Sequence, residues 1–112
     1  MGVRPATVRR LALSLPEAAE APHHDMTSFR VAGKIFATMT ADERHLHVFL
    51  DTPDAQAYRA EFPDAVAELW WGKKLRGCRV ELAPASTPVA RELQTESWRR
   101  RAPKHLLARF DG

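Results

Sequence analysis

A chain of 112 residues, 45% apolar and 28% charged, suits one domain with one core, in which roughly 65% of the unfolded surface is buried. No run approaches the ~20 apolar residues of a membrane span, and the single cysteine, Cys78, excludes an internal disulfide and a multi-cysteine metal site. The net charge of +3 conceals an asymmetry, since residues 1–72 carry 7 Lys/Arg against 10 Asp/Glu and residues 73–112 carry 10 against 4.

A basic half can attract nucleic acid or an acidic protein through salt-sensitive forces, and it can equally be a solvated surface. The N-terminal stretch has no apolar h-region, and no Ser/Thr follows Gly2 where a myristoylation signal needs one. The expectation is a cytoplasmic, monomeric protein.

In chain order, Pro5–Leu15 reads as a helix, with Val8, Leu11 and Leu15 recurring at spacings of 3 and 4 and Pro16 ending it. Residues 17–25 read as an acidic connector. Phe29–Met39 then reads as a β-hairpin around Ala32-Gly33-Lys34, with the glycine supplying a left-handed turn position. A glycine-bulged turn with Arg30 opposite Lys34 sorts the side chains best. It places Phe29, Val31, Ile35, Ala37 and Met39 on one face and Arg30, Lys34, Phe36 and Thr38 on the other.

His45–Leu50 alternates strictly, with Leu46, Val48 and Leu50 inward and His45, His47 and Phe49 outward. Thr52-Pro53 opens a second helix, with Thr52 as its cap and Ala55, Tyr58 and Phe62 as its buried stripe. Residues 64–71 fit either a short helix or a strand. Residues 72–77, GKKLRG, read as a basic loop, and Arg79–Leu82 as a last strand with Cys78, Val80 and Leu82 inward. Thr87-Pro88 opens a C-terminal helix that Pro103 interrupts, leaving a short helix in the tail. The pattern is α+β: a mostly antiparallel sheet of four or five strands with helices on one face.

Four phrases, LSLPEAAE, SFRVAGKIFATM, LWWGKKLRGCRVEL and SWRRRAPKHLLA, occur in this order over nearly the whole chain. Together they resemble the MmcQ/YjbR-like proteins. The resemblance implies a single domain over residues 1–112, of the double-wing, CyaY-like kind, with a DNA-binding role and no catalytic residues to transfer. What it carries over by position is Gly33-Lys34, Phe36, Trp71-Gly72-Lys73, Trp98 and Ala102-Pro103-Lys104. Many relatives have a tryptophan near the start of the last strand, where this chain has Cys78 and its neighbours.

The candidate chemistry is a cationic surface that holds phosphates while aromatic rings stack on bases. In the register above, Arg30, Lys34 and Phe36 look outward, joined by His47, Phe49 and Arg79. Lys73, Lys74 and Arg76 on the glycine-flanked loop, and Arg100 and Lys104 at the C-terminal helices, add phosphate contacts. The plain alternative is a helix that roofs Phe36 and Phe49. Successive helical residues step by about 100°, so Arg99, Arg100 and Arg101 cannot all face one ligand.

His23-His24-Asp25 with His45 and His47 supplies ligand types for a metal but no fixed geometry, and no metal or cofactor is expected. His24, Asp25 and Ser28 are too close in sequence to converge as a triad. The expectation is therefore a non-enzymatic domain whose partner is DNA or, alternatively, an acidic protein.

Overall fold

The computed structural model describes residues 2–111. They run α1 (Pro5–Leu13), β1 (Ala19–His23), β2 (Met26–Val31), β3 (Lys34–Met39), β4 (His45–Phe49), α2 (Thr52–Glu61), β5 (Val66–Trp71), β6 (Lys74–Glu81), α3 (Thr87–Arg101) and α4 (Lys104–Asp111). All strand pairings are antiparallel, in one open sheet of order β1-β2-β3-β4-β6-β5.

Directly paired residues share a face. The row Glu20, Phe29, Ala37, Val48, Cys78, Glu68 crosses all six strands on the helix side. Its neighbour, Ala21, Ser28, Thr38, His47, Arg79, Ala67, crosses them on the outer side. The core lies between the helix side and α1, α2 and α3, and includes Val8, Leu11, Phe29, Met39, Leu46, Val48, Val80, Leu93 and Trp98. Two long-range hydrogen bonds fix α3 against the N-terminal helix and its exit. The Gln94 amide donates to the Val8 carbonyl (3.3 Å), and the Trp98 indole donates to the Pro16 carbonyl (3.1 Å).

Six strands replace the expected four or five. The segment AEAPH has no β-branched residue and contains Pro22, so it reads as a connector. As β1 it sits at a sheet edge, where a missing N–H costs no ladder bond. Likewise the basic loop of residues 72–77 is mostly strand. Trp71 pairs with Lys74 across the two-residue turn Gly72-Lys73, and Lys74 to Gly77 belong to β6. Gly72 at φ 62°, first of the two turn residues, fits a type II′ turn.

The expected register of the β2–β3 hairpin is also corrected. Val31 pairs with Lys34 and Arg30 with Ile35, so the turn is the two residues Ala32-Gly33. Both have positive φ, 51° and 78°, as a type I′ turn requires. The bulge lies inside the strand instead: Phe29 pairs with Ala37, which leaves Phe36 as the extra residue of β3. This resets the alternation, so Phe36 turns into the core beside Phe29, with ring centroids 6.5 Å apart, and Ile35 turns outward. Phe36, expected on the outer face, is fully buried.

The bulge has a second effect. β3 and β4 pair only from Ala37–Val48 to Met39–Leu46, and beyond that their ladder opens. The Ser97 hydroxyl of α3 fills the opening. It accepts from the Phe49 N–H at 2.9 Å and lies 2.5 Å from the Phe36 carbonyl and 3.0 Å from that of Phe49. A side-chain hydroxyl thus stands where a direct strand-to-strand bond would be.

Candidate functional site

The outer face is built by β4 first. Its alternation sends Leu46 and Val48 into the core and leaves His45, His47 and Phe49 on the outer side, as expected from sequence. Phe49 is only 6% exposed, however, with Trp71 and Arg101 against its ring, and so is not the open stacking ring expected. Arg79 pairs with His47 across β6, and Arg30 pairs with Ile35 on the same face. The Arg30 guanidinium is held by the Ser28 hydroxyl at 3.1 Å, which itself donates to the Ala21 carbonyl.

A hollow of about 470 Å³ opens on this face. It is lined by His23, Met26, Lys34, Ile35, Thr38, His47, Phe49 and Trp71, and Arg101 reaches in from the end of α3. The route of Arg101 follows from the opened ladder. Ser97 is pinned between β3 and β4, and Arg101 lies four residues on, on the same side of the helix. Its guanidinium sits 5.7 Å from the centroid of the outward Phe49 ring. Phe49 meets Trp71 edge-on at 5.9 Å, and Arg76 stacks on Trp71 at 4.7 Å. The result is a chain of cation, ring, ring and cation along the hollow, with Trp71 still 56% exposed.

The polar groups here are short of partners. Arg101 Nε and His47 Nε2 are both buried, and neither has a hydrogen-bond partner among the described residues. Burial, then Arg79, then His45 hold the His47 pKa below its usual 6.5, so its imidazole is neutral at pH 7. Burial, then Arg100, then Arg76 lower the pKa of Arg101. No carboxylate lines the hollow among the described residues. Glu81 and Asp64 lie farther along the face, around His45 and Arg79.

Of the residues expected at a site, Arg30 and Arg79 lie on this face and Arg76 beside it on Trp71. Lys34, expected beside Arg30, pairs instead with the inward Val31 and reaches the hollow only from the hairpin end. Lys73 and Lys74 sit at the tip of the β5–β6 hairpin beside it, both exposed. Phe36 is in the core. Arg100 points elsewhere and pairs with Asp51 at 2.9 Å, and Lys104 is exposed at the first position of α4. The triple arginine divides as helical geometry demands. Arg99 bridges Glu96 and Asp111 and covers Phe110, Arg100 takes Asp51, and Arg101 enters the hollow. Arg101 was not singled out by sequence, although the 100° step does require the three to diverge.

A family model, YjbR, matches residues 13–100. The chain belongs to the YjbR family. No curated protein and no solved structure matches it significantly. In this YjbR chain no described helix is long and apolar enough to cross a membrane. The described residues form no group of three or more His, Cys, Asp or Glu placed to hold a metal ion, and His23 and His24 stack on each other at 4.6 Å. Cys78 lies on the helix side, its thiol 3.5 Å from the Ala55 carbonyl, and burial followed by the Glu68 charge pushes its pKa up to about 12.

Proposed function

We propose that this YjbR domain is a non-enzymatic module that binds single-stranded nucleic acid on the outer face of its sheet. One observation carries the reading: the outer face opens a hollow lined by Lys34, Arg101 and the half-exposed Trp71, with Arg76 stacked on Trp71 and Arg30 and Arg79 elsewhere on the same face. Cations alone would serve any polyanion. A ring flanked by cations over a hollow suits unpaired bases, because a duplex keeps its base faces stacked. Each base stacked on a protein ring contributes about 1–3 kcal/mol, and the cations add a sequence-independent attraction.

The test is fluorescence anisotropy with a labelled single strand and its duplex over a salt series. Four phosphate contacts give a log–log slope of about −3 for the single strand. The strand should bind more tightly than the duplex. Lys34→Glu combined with Arg79→Glu should weaken binding at least tenfold at ~50 mM salt without shifting the melting temperature, since both side chains are exposed. Binding indifferent to salt, or undiminished in the double variant, rules the reading out.

A further inference from the structure

We infer that the hollow between Lys34, Trp71 and Arg101 is a pocket for a planar ring carrying a phosphomonoester. The inference rests on the nucleic-acid reading above and names the part of the strand that enters: an end with its phosphate. A free mononucleotide presents the same chemistry, and the experiment separates the two sources.

Three observations converge. The first is size: about 470 Å³ lies within the ~300–1,000 Å³ of small-molecule pockets and exceeds what one inorganic anion fills. The second is the lining, in which the half-exposed Trp71 and the partly exposed Ile35 offer aromatic and apolar surface for a flat body, while Phe49 is almost wholly covered. The third is the unmatched polarity of the lining. Arg101 Nε and His47 Nε2 are buried without partners, and a buried donor left unpaired costs about 1–3 kcal/mol. An anion seated there accepts from Arg101 Nε–H, and from His47 where the neutral imidazole carries its proton on Nε2.

Charge selects the kind of anion. Lys34 and Arg101 line the hollow, Arg76 stands on Trp71 beside it, and no carboxylate among the described residues offsets them. A phosphomonoester carries about −1.5 to −2 at pH 7, whereas a carboxylate or an internal phosphodiester carries one charge. Guanidinium groups also match phosphate oxygens in a fork that an ammonium cannot offer. The pocket therefore favours a terminal phosphate over the diester links within a strand.

Binding is measured by anisotropy with 3′-labelled single strands that differ only in a 5′-phosphate or 5′-hydroxyl, and by calorimetry with AMP, adenosine, inorganic phosphate and benzoate. The expected result is at least tenfold tighter binding of the 5′-phosphorylated strand, and AMP binding ahead of the other three compounds. Arg101→Gln should weaken both strands and bring their ratio close to one. Arg100→Gln, whose side chain is engaged with Asp51, should leave that ratio as it is. Trp71→Ala, an exposed position, should weaken AMP more than inorganic phosphate.

Equal affinity for the two strands, with binding intact, overturns the pocket assignment and leaves the nucleic-acid reading standing. AMP binding with no strand binding supports the pocket as a free-nucleotide site and overturns the strand reading. Benzoate binding as well as AMP overturns the phosphate assignment, and no binding by any of these probes overturns both proposals.

Discussion

Ser97→Ala is the most informative single change in the molecule. Its hydroxyl is fully buried and serves the backbones of two strands, through the Phe49 N–H at 2.9 Å and the Phe36 carbonyl at 2.5 Å. Alanine leaves both groups unpaired where neither side chain of the pair can move in to help. A buried backbone group without a partner costs about 1–3 kcal/mol, and removing the hydroxyl recovers a little of its own burial cost. The expected loss is therefore about 2–4 kcal/mol. At roughly 4 °C per kcal/mol for a domain of this size, the melting temperature falls by roughly 8–16 °C.

Urea unfolding should show a lower midpoint with an unchanged slope, and the Phe49 amide should exchange about 30-fold faster or more. Ser86→Ala is the natural control: Ser86 caps α3 by accepting from the Val89 N–H at 3.3 Å, exposed to solvent, and should cost about 1 kcal/mol. A loss for Ser97→Ala no greater than that of Ser86→Ala would mean that the opened ladder does not depend on the hydroxyl.

Two further outcomes follow from buried titratable groups. With its thiol pushed up to about 12 and packed under α2, Cys78 should react with a thiol reagent at pH 8 about 1,000-fold more slowly in the native protein than in urea, and full-rate labelling of the native chain would place it at the surface. His47 has a depressed folded pKa, so its contribution to stability is present above pH 6.5 and is lost as pH falls from there through the folded value, where the unfolded chain takes up the proton first. His47→Gln should flatten that part of the stability profile in urea melts taken from pH 7.5 to 4.5, and parallel profiles would refute the assignment.

Much of the sheet could be read from local pattern. β4 alternates in sequence and in space, and Cys78 and Val80 fall inward where the alternation of β6 puts them. The hairpin register was not legible, because the apolar sorting that favours a bulged turn is equally satisfied by a tight turn with a bulge two residues farther along. What decides between them is the packing of Phe36 against Phe29 in the core and the hydroxyl of Ser97, sixty-one residues beyond Phe36. β1 was hidden by a composition that only an edge position tolerates.

The candidate face divides the same way. Arg30 and Arg79 could be proposed from charge and alternation, and Lys34 and Arg76 from charge alone. Arg101 could not be chosen from a run of three arginines until the line of α3 past the opened ladder was known.

The placement of Ser97 also sets an order of events for a growing chain. The first three strands and the last three meet along only three residue pairs, and a residue in the final sixth of the sequence closes the remaining seam. A chain still emerging from the ribosome at residue 90 carries every strand of the sheet yet lacks the group that joins its halves. Consolidation therefore waits for the last helices, a long-range closure that slows folding and leaves the partly made sheet exposed in the meantime.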